Sequence, residues 1–483
     1  MKIAVFITSY EFTRNYLETN SFQKIRKNAH LTLVVNGNIE LSNVQREQFD
    51  EVLQYRDLNK RYSNLLYTLY MLRYRSLSSS FRYRARRQFP NIYWQWIYFR
   101  NHSMLRGPST KEKSNEFKTT EDLIPNKEVR FLVRLLRLIQ KFIFGKIRKL
   151  LFYFLASRVL FWISSRIIKS LIYRDSRNLW LDSSYDSILI PSSAHEPMVP
   201  LLIHEARKQK IRTILLVDNW DNLSSKSILW EKPDLLACWG PQSIDHAAKI
   251  QKMNPERCIA IGTPRIDSYF EIRHKPIPAN FNFPYILFLG SSLPYNEAEF
   301  LERLDNEISK NPSAFFNHKV VYRPHPLRGG WKLVEVDKLQ NVQIDPDIVD
   351  RYRSGDLRWN RSGVMPPLRN YPSLISNSTI IVTGLSSMIF EGSIFWKKCT
   401  VLAFDEPRNL TNPKRIFDEY LHFRGIDSLS NLDLAFSQDE AIKSVSKNLK
   451  NPIISDKHLV DEQLRKFIEF DSDGYSTRLS KII

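Results

Sequence analysis

The chain predicts an α/β fold of two facing, doubly wound parallel sheets, and three observations carry that expectation. Short apolar runs recur in two separate series, helix-length amphipathic segments lie between them, and the series meet at a proline-containing stretch, 274–283. At roughly 150 residues per domain, 483 residues suit two to three domains. With 43% apolar and 12% aromatic residues the chain can bury large cores, which excludes a disordered or fibrous protein.

The first series opens at 3–7, an uncharged apolar run too short for a signal-peptide core that reads as a buried strand ending in a polar loop. Strands are expected next at 31–35 and 51–53, then at 187–190, 213–217, 235–239 and 258–261. The second series comprises 285–289, 319–322, 379–383 and 400–404, with helices over 297–310 and 387–397. The expected domains are 1–275 on the acceptor side, 276–460 binding a nucleotide donor, and a tail, 461–483, returning to the first domain.

The first series is broken by an insertion, about 65–180, that fits no α/β pattern. Here the charge is informative. The net charge is +20, and six arginines without an acid lie between Arg73 and Arg87, with eleven Lys or Arg and no acid between Arg130 and Arg174. The remainder of the chain is therefore close to neutral. At 100° per residue, Arg130, Arg134, Arg137, Lys141 and Arg148 fall within about 40° of one direction on a helical wheel. Beside them lies a wide face of Phe131, Leu132, Leu135, Leu138, Ile139 and Phe142. Such a helix suits the surface of an anionic membrane; the competing reading is a helical pair packed against its own domain. So broad an aliphatic face suits nucleic acid less well. No charge-free apolar run reaches the 18 or so residues needed to span a bilayer.

Other classes are excluded by what is scarce. The 14 glycines include no G-x-G-x-x-G or P-loop spacing. Cys238, Cys258 and Cys399 are far apart and without C-x-x-C spacing, which argues against a disulfide framework or zinc site and fits a reducing, cytoplasmic compartment.

Three segments in the second half place unusual residues at strand ends. Gly290-Ser291-Ser292 follows an apolar strand; glycine allows close backbone approach and the hydroxyls can donate to an anion, though Gly-Ser is also ordinary turn chemistry. Arg323-Pro324-His325-Pro326 offers a permanent cation and an imidazole held by two prolines. Thr383-Gly384-Leu385-Ser386-Ser387 reads as a turn capping a helix that carries Glu391 one turn in. All three lie where open α/β sheets bind ligands, and together they converge on an anion such as a nucleotide phosphate. A G-x-S-x-G elbow is absent because Met388 occupies the last glycine's place.

These segments resemble the bacterial surface-polysaccharide transferases of the GT-B fold, in particular the CDP-glycerol glycerophosphotransferases and the Kdo- and sialic-acid-transferring capsule enzymes. The family's "HP" and Ser-Ser motifs match Arg323-Pro324-His325-Pro326 and 383–391. Gly262-Thr263-Pro264-Arg265-Ile266-Asp267 and the tail 470–478 look like two further family stretches, and the resemblance spans about 185–480. It implies that His325, Ser386 and Ser387 hold the donor phosphate, that Arg323 neutralises it, and that neither a metal nor another cofactor is needed beside a CMP-, CDP- or UDP-linked donor. Asp345-Pro346-Asp347 and Asp471-Ser472-Asp473 are D-x-D pairs of the kind that can hold a metal, but the pattern also recurs in acidic loops.

A base for the acceptor hydroxyl is expected from the first domain. Asp218 and Asp221 flank Trp220 after an apolar strand, which reads as carboxylates beside a sugar platform or as an Asx-turn cluster with the indole in the core. His195 and Glu196 are the other candidates. The expected activity is thus glycosyl or glycerophosphate transfer to a saccharide or lipid-linked acceptor at the inner face of the cytoplasmic membrane. A sugar-nucleotide epimerase and a non-enzymatic membrane- or nucleic-acid-binding protein are the alternatives.

Liposome co-sedimentation tests the membrane expectation. The full chain should pellet with phosphatidylglycerol vesicles and lose that affinity on deletion of 130–174; equal pelleting by both chains would refute it.

Overall fold

The computed structural model describes residues 1–37, 39–55, 166, 170, 181–193, 196, 198–226, 229–275, 277–291, 297–325, 335–350, 371–405 and 412–483. The chain divides into two compact units, Met1–Ser63 with Ile172–Ile483, and Asn64–Leu171. The basic stretch expected at a membrane, with Arg130, Arg134, Arg137, Lys141 and Arg148, lies outside the described residues, as do His195 and Ser292.

Both sheets of the first unit are parallel. The first contains β1 (Lys2–Ile7), β2 (His30–Asn36), β3 (Glu51–Tyr55), β4 (Ser187–Ser192), β5 (Arg212–Val217), β6 (Leu235–Cys238) and β7 (Cys258–Ala260), in the order β3-β2-β1-β4-β5-β6-β7. The second contains β8 (Tyr285–Leu289), β9 (Lys319–Arg323), β10 (Val342–Ile344), β11 (Ile380–Gly384), β12 (Cys399–Leu402) and β13 (Leu432–Ala435), in the order β10-β9-β8-β11-β12-β13. In each sheet the order reverses beside the first strand, between β1 and β4 and between β8 and β11, and such a reversal opens a crevice at the strands' carboxyl ends. The doubly wound pair read from the sequence is present, with β10 and β13 as additional strands.

The helices that matter for the site are α1 (Met198–Lys208), α2 (Pro241–Lys249), α3 (Pro264–Ile272), α4 (Glu297–Lys310), α5 (Tyr371–Asn377), α6 (Met388–Ile394), α7 (Gln438–Lys450), α8 (Lys457–Arg465) and α9 (Gly474–Ser480). Strands such as Tyr-Ile-Leu-Phe-Leu at β8 are buried along their whole length because helices cover both faces. Phe288, Phe300, Leu304, Val320 and Val445 build the second sheet's core with α4 and α7.

The tail closes on the first sheet. Tyr475 and Leu479 of α9 join the core of Val5, Leu33 and Ile214. Arg478, 7% exposed, donates from Nε to the Ile261 carbonyl at 2.9 Å and pairs with Asp267 and Asp471. The Asp471-Ser472-Asp473 pair is thereby engaged: Asp471 also accepts from the Asp473 and Gly474 amides, and Asp473 pairs with Lys481 at 3.0 Å. Gly262 makes the approach possible. Its φ is +76°, and a Cβ there would lie 2.0 Å from the Glu469 carbonyl oxygen.

Gly262→Ala should therefore lower unfolding stability by more than about 2 kcal/mol, combining left-handed strain with a backbone overlap. Gly37→Ala, whose Cβ would meet nothing nearer than 3.5 Å, is the control. Equal urea midpoints for the two variants would contradict this account of how the tail docks.

Candidate functional site

The carboxyl ends of the two sheets share one charged centre. From the first sheet come Arg14, in the π-helical turn Thr13–Leu17 after β1, Asp218 immediately after β5, and Arg265 at the second position of α3 after β7. From the second come Arg323, the last residue of β9, Tyr371 at the start of α5, and Glu391 in α6. Glu391, 6% exposed, feels the field of Arg265, Arg14 and Arg323 together, and its Oε2 accepts from the Tyr269 hydroxyl at 2.6 Å.

The electrostatics follow from burial working against these pairings. Burial raises the pKa of Glu391, while Arg265, the Tyr269 hydrogen bond, Arg14 and Arg323 oppose the shift. Asp218 is pushed up to about 7, by burial first and by the Glu11 carboxylate second, with Arg265, the Asn15 hydrogen bond and Arg14 opposing. Asn15 Nδ2 donates to Asp218 Oδ1 at 2.8 Å, and the Trp239 indole donates to the Asp218 carbonyl at 3.0 Å, so the carboxyl group is fixed in place. For Arg265, burial acts to lower the pKa, but Glu391 and Asp218 outweigh it and the net shift is upward.

The strand-end turns of the second sheet are built tightly. A Cβ on Gly290 would come 2.7 Å from the His325 backbone nitrogen, which is why glycine leaves β8 and how 324–325 is held beside it. Glu297 completes that turn: it accepts from the Ser291 amide at 2.8 Å and from the Tyr322 hydroxyl at 2.7 Å. Ser291 is buried, whereas Ser386 and Ser387 are half-buried at the head of α6. The hydroxyl expected to cap α6 is that of Ser386, which accepts from the Met388 amide at 3.3 Å; the Ser387 side chain caps nothing. Arg323 pairs with Asp345 and stacks on the Tyr371 ring at 4.5 Å, so the first D-x-D pair holds an arginine, and Asp345 also accepts from the Asp347 amide.

Several expected roles change on the first-sheet side. Trp220 is 3% exposed, with Phe390 and His422 edge-on at 4.6 Å, so it is a core residue and no sugar platform. Asp221 pairs with Lys226 at 2.8 Å, and its carbonyl accepts from the Ser224 and Ser225 hydroxyls, which makes it a turn residue. Glu196 accepts from the Ser192 hydroxyl and the Ser193 amide, fixing the turn between β4 and α1. Of the candidate carboxylates Asp218, Asp221 and Glu196, only Asp218 enters the charged centre. Arg14, Asn15, Tyr269 and Tyr371 are participants that no motif marks. For Arg14 the available signal was its position in the loop that follows the first strand.

Among the described residues, no group of three or more His, Cys, Asp or Glu side chains could hold a metal ion, and no helix is long and apolar enough to cross a membrane.

The chain matches no protein-family model and no curated protein. It is similar in structure to the UDP-GlcNAc 2-epimerase from Methanocaldococcus jannaschii, at 9% identity over 100% of this chain and 99% of that one, with a TM-score of 0.46. The glycotransferase of kitacinnamycin aligns at 10% identity over 100% and 97%, with a TM-score of 0.44. A variant of the wall teichoic acid polymerase TagF aligns at 13% identity over 62% and 72%, with a TM-score of 0.38. Similarity this low assigns neither substrate nor activity.

Asp218 gives the site a pH signature. Its folded pKa, about 7, lies above the unfolded value near 3.8, so the folded state binds the extra proton between them. Its contribution to stability is complete below about pH 4 and is lost as pH rises through 7. Asp267, raised to about 6, acts in the same direction. Wild-type unfolding free energy should thus fall more between pH 5 and pH 7.5 than that of Asp218→Asn, which retains Asp267. Parallel profiles would show that Asp218 titrates normally.

Proposed function

We propose that the chain is a transferase of the GT-B type, moving a glycosyl or polyol-phosphate group from a pyrimidine-nucleotide donor to a hydroxyl of a saccharide or lipid-linked acceptor. The observation that carries this reading is the shared centre: Asp218 from the first sheet and Glu391 from the second lie in the field of the same two arginines, Arg14 and Arg265. Reactants arriving on opposite sheets would meet there.

In this reading the donor enters as substrate and occupies the ends of β8, β9 and β11, beside Gly290, Ser291, Arg323, His325, Ser386, Ser387 and Glu391. Negative charge grows on the departing nucleotide as its bond to the transferred group breaks. Arg323 and the hydroxyls of Ser386 and Ser387 would meet that charge in a water-poor cleft, where oriented dipoles and cations act most strongly. The acceptor oxygen forms the new bond, and its proton passes to Asp218. A carboxyl group with a pKa near 7 suits that step, being partly ionised yet basic enough to accept the proton. The rate should rise with pH through about 7. The basic apolar stretch, 130–174, supports an acceptor reached at the inner face of the cytoplasmic membrane.

One observation favours a second reading. Two carboxyl groups with raised pKa values, Asp218 and Glu391, flank the centre, and such an acid and base pair also suits epimerisation of a nucleotide-linked sugar.

Turnover over a panel of CMP-, CDP-, UDP- and GDP-linked sugars and polyols separates these possibilities. One pyrimidine-linked donor should be consumed in an acceptor-dependent manner, with Arg323→Ala and His325→Ala slower by about 10²-fold or more. Deuterium entering the sugar from heavy water without an acceptor would select the epimerase. Neither turnover nor thermal stabilisation by any pyrimidine nucleotide would remove both.

A further inference from the structure

We infer that Arg14 and Arg265 form a second oxyanion site, on the first-sheet side of the cleft, that takes a phosphate group carried by the acceptor. The inference rests on the transferase reading and names the chemistry of its second substrate.

The interior arginines fall into two kinds. Arg273 pairs with Asp461, Arg323 with Asp345, and Arg478 with Asp267 and Asp471. Among the described residues, neither Arg14 nor Arg265 has a carboxylate within salt-bridge distance. Arg14 Nε donates to Asn15 Oδ1 at 3.1 Å. Arg265 lies 5.2 Å from the centre of the Trp239 ring, and its buried Nε has no hydrogen-bond partner. The two cations also repel: Arg265 is among the groups that lower the Arg14 pKa, after burial itself. The two stand on elements that pack together, and the buried Nε–H of Arg265 is left without an acceptor, which is a standing cost to the fold. An oxyanion between them would relieve it.

Position and charge identify the ligand. Both side chains stand on first-sheet elements next to Asp218, the proposed base, while the donor groups stand on the second sheet. Glu391 and Asp218 already supply part of the countercharge, so the number of acceptors decides: a phosphate group has enough oxygens to meet the N–H groups of two guanidiniums at once, whereas a single carboxylate has two. An acceptor phosphate held here would bring its hydroxyl to the Asp218 side of the cleft.

The test is thermal unfolding of the full chain with inorganic phosphate, with acetate and with chloride at equal ionic strength, and separately with UDP, CDP and CMP. Phosphate should raise the wild-type midpoint by several degrees at concentrations well above its Kd, and acetate should not. The shift should vanish in Arg14→Gln and Arg265→Gln and shrink in the charge-retaining Arg14→Lys, while the nucleotide shift persists in all three. Calorimetry at pH 7 in buffers of different ionisation enthalpy should detect proton uptake on phosphate binding, because a nearby anion raises the proton affinity of Asp218; that uptake should be absent in Asp218→Asn. No phosphate effect on a protein that nucleotides stabilise would overturn the inference and leave the donor reading standing. Loss of the nucleotide shift in Arg14→Gln would assign the arginines to the donor and overturn it as well. A phosphate shift lost in both glutamine variants, without any nucleotide shift in the wild type, would uphold the site and remove the donor reading.

Discussion

The hydrogen bond from the Tyr269 hydroxyl to Glu391, 2.6 Å long, joins the helix that leaves the first sheet to the helix that follows β11. Much of the site depends on that helix, α3. Arg265 and Tyr269 are four residues apart and so share one face, which looks toward Glu391. Asp267 lies off that face and serves the tail, accepting from the Tyr475 amide at 2.6 Å and pairing with Arg478. Just past the helix, Arg273 makes a bidentate pair with Asp461 of α8 and lies against the Phe270 and Trp396 rings. One nine-residue helix therefore sets a cation in the cleft, a bond to the second sheet and the anchor of the returning chain.

That concentration of roles explains what was legible beforehand. The strand series was readable because a strand covered on both faces must be apolar throughout, and runs such as Tyr-Ile-Leu-Phe-Leu leave little choice. β10, Val-Gln-Ile, and β13, Leu-Asp-Leu-Ala, are the edges of their sheet, half-buried and interrupted by polar residues, so no apolar run marks them. The Gly262 to Asp267 stretch could be recognised as a motif, but its reason lay in long-range contacts: the glycine passes the Glu469 carbonyl, and the arginine and aspartate face opposite partners.

The same distinction separates the site residues. A carboxylate beside an aromatic looks alike in sequence whether it meets a sugar or a turn, and the neighbours decide. Glu196 is taken by a serine hydroxyl and an amide three and four residues away, and Asp221 by Lys226, all local partners. Asp218 instead finds Asn15, more than two hundred residues distant, and the arginines beyond it. Its perturbed proton affinity is a product of tertiary assembly, so no local pattern around Asp218 could have announced it.

The charge distribution now divides into two parts with different physics. Most of the net +20 lies in the two arginine- and lysine-rich windows, 73–87 and 130–174, which apart from residues 166 and 170 are outside the described residues. The cleft is much closer to balance, with Arg323 paired, Glu391 shared among three guanidiniums, and Asp218 partly protonated at neutral pH. A bulk positive charge draws anions from a distance and is screened by salt over about 10 Å. The cleft's few unpaired cations act at contact range, where burial keeps salt from screening them. Raised ionic strength should therefore weaken surface association well before it weakens anything held between Arg14 and Arg265, so salt dependence is a means of separating the two kinds of positive charge in one molecule.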